Sequence, residues 1–281
     1  MSLILPAWGF ANGVSSLTGT PPTFDVGVAV TAGANNTDGT AVGVLSALTF
    51  DCHYLIIGIG GTGLSTAQSH TLLDILTDPA GGTSYSSFIN DLACGYTPDI
   101  DVQQGIVCWY HFPIYIPAGS SVAVQARTAH TANITTGRVI MYAYGNPSRP
   151  EMWWCGQKVE SLGINAASSK GTDVIPGDSG ADGSWTSIGT STYDYGAVQY
   201  GINGTDGSSA GRGYYWDLGF GSTAFPGAPR AFKAMGSVES GAMHGLNQPI
   251  WCNVAAGTVW QLRATCSGVA ETFNAAIYGV Y

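Results

Sequence analysis

The sequence predicts an all-β protein: two tandem antiparallel β-sandwiches of jelly-roll-like type, produced by an internal duplication. Three observations lead there. First, residues 49–75 and 192–218 repeat each other without a gap, with 9 identities in 27 positions: Thr49, Asp51, Gly58, Ile59, Gly61, Thr62, Ser65, Ala67 and Asp74 return as Thr192, Asp194, Gly201, Ile202, Gly204, Thr205, Ser208, Ala210 and Asp217. Second, the apolar stretches are short, β-branched and aromatic, and turn residues punctuate them, which is the pattern of many short strands. Third, no heptad or amphipathic helical period is visible, while 40 glycines supply tight turns.

Taken in chain order, residues 1–23 read as an arm closed by Pro21-Pro22. It carries Leu3, Ile4, Leu5, Trp8 and Phe10, and apolar residues at that density seldom stay in water. Trp8 and Phe10 are therefore expected to anchor the arm on a neighbouring subunit or particle surface; folding back onto its own module is the competing expectation. Module one spans residues 24–145. Thr23 to Val30 alternates as a strand, and Ala34-Asn35-Asn36-Thr37-Asp38-Gly39 is a turn. Ala47 to Gly60 reads as a buried strand ended by glycines, and Leu72 to Leu76 as another. Ile116-Pro117-Ala118-Gly119 is a turn between strands. Ser121 to Arg127 and Val139 to Tyr144 complete the module. Residues 146–158 form a linker, where Pro147 and Pro150 stop any element. Module two, residues 159–281, repeats the plan with long Gly/Ser loops at 171–184 and 203–213. The echo reaches further: Pro113-Ile114 reads against Pro249-Ile250, Ala118-Gly119 against Ala256-Gly257, Gln125-Ala126-Arg127 against Gln261-Leu262-Arg263, and Tyr144-Gly145 against Tyr278-Gly279.

Composition excludes several functions. Charged residues make up 10% of the chain, against about 25% in ordinary soluble domains. Net charge is −9, and the three Lys and six Arg are scattered. Phosphate binding needs clustered cations, so nucleic acid is not an expected partner. An acidic membrane surface would repel the chain, and no apolar run approaches the roughly 20 residues of a transmembrane helix. The six cysteines form no C-x-x-C pair, which argues against structural zinc and for buried thiols. The N-terminus lacks the basic region of a signal peptide, so synthesis in a cytoplasm is expected.

The chemistry-bearing residues are few. Gly177-Asp178-Ser179-Gly180 looks like the nucleophile loop of chymotrypsin-like proteases, but Ala181 stands where those enzymes have Gly, and His130 lies in the other module. A surface turn is the plainer reading. Asp173, Asp178 and Asp182 share one Gly-rich loop and are the weak calcium option; EF-hand spacing is missing, and a solvated acidic loop explains them more simply. No His pair has zinc-hydrolase spacing. Asp51, Asp74 and their repeats Asp194 and Asp217 could form carboxylate pairs for glycan hydrolysis, but recurring aspartates equally suit turn and strand ends that need backbone acceptors. No catalytic residue and no cofactor is assigned. Trp153, Trp154, Tyr214 and Trp216 mark the densest aromatic spots and are the candidates, with Trp8 and Phe10, for an interface or for stacking on a host glycan.

Leu72-Leu73-Asp74-Ile75, the turn Pro113-Ile114-Tyr115-Ile116-Pro117-Ala118-Gly119, the strand ending near Arg127 and the closing Tyr144-Gly145 resemble a β module of tailed-bacteriophage structural proteins. Module two keeps Asp217-Leu218-Gly219, Pro249-Ile250, Ala256-Gly257, Arg263 and Tyr278-Gly279 but departs at the approach to the turn, Cys252-Asn253-Val254-Ala255. The resemblance implies a virion component on the capsid or tail surface that carries no catalytic residues. Its partners would be other virion proteins and further copies of itself, a trimer being one closed option. A carbohydrate-binding adhesin is the first alternative and a glycan hydrolase the second.

Overall fold

A computed structural model describes residues 9–12, 27–60, 69–97, 108–128, 136–145, 156–203, 212–221, 223–224, 231–235, 249–268 and 272–281. Among them no helix occurs, and every pairing between strands is antiparallel. Module one contains β1 (Gly9–Asn12), β2 (Val28–Thr31), β3 (Val42–Leu45), β4 (Tyr54–Gly60), β5 (Ser69–Asp78), β6 (Ser86–Thr97), β7 (Cys108–Phe112), β8 (Ser121–Thr128) and β9 (Thr136–Gly145). Module two contains β10 (Val159–Leu162), β11 (Thr172–Val174), β12 (Thr186–Thr190), β13 (Tyr195–Asn203), β14 (Arg212–Phe220), β15 (Thr223–Ala224), β16 (Ala231–Met235), β17 (Ile250–Val254), β18 (Val259–Cys266) and β19 (Phe273–Val280).

Four sheets result. Sheet I runs β1-β9-β4-β7, with β2 also on β9, and sheet II runs β3-β8-β5-β6. Sheet III runs β10-β19-β13-β17, with β11 also on β19, and sheet IV runs β12-β18-β14-β15, with β16 also on β14. The two lists are one list written twice. In each module the crossings between the two sheets make two Greek keys, the jelly-roll arrangement. Strand alternation sends one face of each sheet inward. Leu55, Ile57, Val139 and Met141 of sheet I meet Leu73, Ile75, Val122 and Val124 of sheet II in one core. Tyr200, Ile202 and Ile277 of sheet III meet Trp216, Trp260 and Leu262 of sheet IV in the other.

The repeat extends to single hydrogen bonds. Asp51 Oδ1 accepts from the Ala118 N–H at 2.8 Å, and Asp194 Oδ1 from the Ala256 N–H at 2.7 Å. Gly119 N–H donates to the Leu48 carbonyl, and Gly257 N–H to that of Ser191. Both glycines lie in the left-handed region, with φ of 88° and 80°, where a side chain would be strained. These recurring aspartates are turn staples.

Strand pairing corrects part of the sequence echo. Asp74 faces Gln125, whereas Asp217 faces Arg263, so Arg263 stands in the place of Gln125 and Thr265 in that of Arg127. Likewise Leu55 faces Phe112 and its counterpart Val198 faces Ile250, so Phe112, not Ile114, corresponds to Ile250. Tyr54 faces Tyr144 and Ala197 faces Val280, which matches Tyr142-Ala143 to Tyr278-Gly279. Each matched pair had slipped by two residues, a shift that leaves inward and outward positions unchanged.

The N-terminal segment is also corrected. Gly9–Asn12 forms β1 on β9, with Phe10 opposite Tyr144, so this part of it is a strand of module one.

A size exchange separates the modules at one core position. The positions of Cys52 and Ala143, both buried in the core of module one, are held in module two by Tyr195 and Gly279. A Cβ on Gly279 would fall inside the Tyr195 ring. That ring stacks on Trp260 at 5.8 Å, and its hydroxyl donates to Glu160 at 2.6 Å. Gly279→Ala should destabilise the protein by about 1–3 kcal/mol through overpacking. In a Tyr195→Cys background the same change should cost far less. Urea unfolding of the four proteins in this cycle measures the coupling, and equal costs in both backgrounds would refute the exchange.

Candidate functional site: the joint between modules and its unused counterparts

Sheet III is buried on both faces. Its inner face packs on sheet IV, while Ala197, Ala276, Tyr278 and Val280 on the outer face join the core of module one. What they meet is the open mouth of the first sandwich, where β7 ends sheet I and β6 ends sheet II. Edge strands carry unpaired backbone groups that must be satisfied or shielded. Module two satisfies them with side chains. Gln199 accepts from the His111 N–H at 3.3 Å and donates its amide hydrogen to the His111 carbonyl, so one carboxamide replaces a paired strand residue on β7. The Tyr278 hydroxyl accepts from the Ala93 N–H at 2.7 Å and donates to the Asp91 carbonyl at 2.9 Å on β6. Ser161 Oγ donates to the Asn90 carbonyl. Within the mouth, the Tyr110 hydroxyl donates to the Ala93 carbonyl at 2.6 Å, and its ring meets Tyr278 edge-on at 5.6 Å. Gly201 is required here, because a Cβ would strike the Tyr110 hydroxyl and Ala93.

Beside the joint lies a cleft of about 390 Å³ lined by Asp38, Asp74, Asn90, Asp91, Arg127 and the turn Ile164-Asn165-Ala166-Ala167 of module two. Arg127 is buried and pairs with Asp91, and with Asp38 at 3.7 Å. Burial holds the Asp74 and Asp38 carboxyls above their ordinary pKa, with Arg127 opposing. Asp74 accepts from the Asp91 N–H at 2.7 Å and the Gln125 amide at 3.1 Å. In module two Arg263 pairs with Asp217 at 2.9 Å and Asp182 at 3.0 Å and lies over Trp185. These acids are engaged in holding strands and turns.

The aromatic candidates divide. Tyr214 and Trp216 are fully buried core residues against Phe273, at 4.8 and 5.7 Å, and are no interface. Alternation along β14 turns them inward and leaves Tyr215 exposed. Trp8, Trp153 and Trp154 lie outside the described residues, and of Phe10 only the backbone is described. The acidic loop is not gathered around a cation: Asp173 binds Asn274, Asp182 binds Thr265 and Arg263, and among the described residues no metal-ligating group of three forms. Ser179 sits in a left-handed turn whose N–H donates to the Gly268 carbonyl. Cys52, Cys252 and Cys266 form no disulfide, and burial pushes the Cys52 thiol up to about 12.

Sequence reading missed the outer face of sheet I, the duplicate of the face that caps the mouth. Tyr54, Ile56, Trp109, His111, Tyr142 and Tyr144 line it, all half-buried. Trp109 covers Gly58 and stacks on Tyr142 at 6.3 Å, while Tyr54 meets His111 edge-on at 5.9 Å. The alternation in Tyr54 to Ile59 was the available signal.

No protein-family model matches the chain, and no curated protein matches its sequence. Among solved structures it is similar to the N-terminal CBM22-1-CBM22-2 tandem domain of Xyn10C from Paenibacillus barcinonensis, with 8% identity over 97% of this chain and 91% of that one, at a TM-score of 0.29. That score is too low to equate the two folds.

Gln199→Leu should strand the His111 N–H and carbonyl, at about 1–3 kcal/mol for each group that loses water as well as its partner. Differential scanning calorimetry should find a lower melting temperature and separation of the two modules' transitions. An unchanged single transition would show that the capping amide contributes nothing.

Proposed function

We propose that this chain is a non-enzymatic structural component of a tailed-phage particle, displayed on the capsid or tail surface. The observation that carries the reading is the joint itself. One jelly roll closes the strand edges of the next through Gln199, Tyr278 and Ser161. Such a joint seats one module on the next, an arrangement suited to presenting surfaces rather than closing over a substrate. The low charge fits the same role, since uncharged β surfaces assemble with little desolvation cost. Many copies on a symmetric particle add weak contacts into firm attachment. The resemblance of the Leu-Asp strand and the Ile-Pro-Ala-Gly turn to phage structural modules supplies the particle. Mass spectrometry of purified particles should find the chain in fixed ratio to the major capsid protein. A chain that never co-purifies with particles would end this reading.

A carbohydrate-binding adhesin is the second reading, favoured by the half-exposed Trp109–Tyr142 stack, since sugar rings stack on such surfaces. Glycan-array binding abolished by Trp109→Ala would select it over a purely structural role.

A further inference from the structure

Duplication made two copies of each half of the joint, and among the described residues one face meets one mouth. The outer face of sheet I and the mouth of module two, edged by β16 and β17, are the other pair. We propose that these remaining halves bind one another between two copies of the chain, head to tail. This deepens the assembly reading and rests on it.

Three observations lead to a second copy as the occupant. First, exposure tracks the missing neighbour. Leu72 of module one is 1% exposed beneath Ile164 of module two, and its counterpart Tyr215 is 43% exposed. A large aromatic side chain is thus exposed at a position that the internal joint covers.

Second, the residues that meet have changed together. Inside the chain, Gln199 of the face binds the N–H and carbonyl of His111 at the mouth. In the unused halves Ile56 occupies the position of Gln199 and Pro249 that of His111. Proline has no N–H to cap, and isoleucine has no amide with which to cap one. A polar pair is replaced by an apolar pair, so the two unused halves match each other better than either would match the used ones.

Third, the main edge-capping tyrosine is kept, since Tyr142 holds the place of Tyr278. Trp109 fills the hollow over Gly58 that Tyr110 and Ala93 fill over Gly201, so the face of sheet I arrives already packed. The contact is heterologous. It closes into a ring or continues as a filament according to the rotation it imposes.

Sedimentation velocity of the full chain over a concentration series tests this. The wild type should associate reversibly. Ile56→Glu on the face and Tyr215→Lys at the mouth should each weaken association by about tenfold or more, as loss of a central apolar anchor does. Mixing the two variants should restore dimers and nothing larger, because one intact face then meets one intact mouth. Tyr142→Ser repeats the face test should Ile56→Glu unfold, and Tyr215→Glu, with a charge of opposite sign at the same exposed position, repeats the mouth test. A wild type that stays monomeric, a face variant that acts while both mouth variants do not, or a mixture that fails to pair overturns the proposal. Monomers that still co-purify with particles would sink this contact alone. Self-association without any particle would sink the particle reading alone.

Discussion

Unpaired strand edges are the constraint on which this molecule turns. A jelly roll is two open sheets, so each module ends in a mouth bordered by two edge strands, with backbone donors and acceptors pointing outward. The structure resolves the first mouth by pressing the second module's sheet across it. Gln199 and Tyr278 reach the exposed peptide groups of β7 and β6, and Tyr110 fills the opening between them. Hydrogen bonding and apolar burial act at the same place, which fixes both the distance and the rotation of the modules.

That arrangement explains where the rest of the sequence is spent. Sheet III must be apolar on both faces, so β19 is buried almost throughout. Gly201 must lack a side chain so that Tyr110 and Ala93 can approach. The conspicuous acids have local duties: Asp51 and Asp194 staple turns, Asp217 and Asp182 hold Arg263, and Asp91 and Asp38 hold Arg127 beside the joint. Charged residues are only 10% of the chain, so its surface relies largely on uncharged polar groups.

Divergence after duplication is equally physical. Where module one has Cys52 and Ala143, module two has Tyr195 and Gly279, and the large ring fits because the glycine lacks a side chain. Gln125 and Arg127 gave way to Arg263 and Thr265, moving the guanidinium by two residues along the strand while each module kept an arginine–aspartate cluster near Asp74 or Asp217.

The sequence by itself determined the all-β class, the duplication and the turns at Gly119 and Gly257, because these depend on local periodicity and turn chemistry; it left Asp51 and Asp194 open between carboxylate chemistry and backbone capping, and the structure decided for capping. It could not determine register. Side chains in a strand alternate with a period of two, so a two-residue slip preserves every inward and outward position, and short matches such as Gln-x-Arg or Tyr-Gly aligned convincingly two residues away from their structural equivalents. Nor could it separate Tyr214 and Trp216, which are core, from Tyr215 and Trp251, which are exposed, since neighbouring aromatics read alike until the facing sheet is known. The joint was least legible of all. Gln199 and Tyr278 are ordinary strand residues in sequence, and only tertiary structure brings them to the edges of β7 and β6, across separations of 88 and 185 residues.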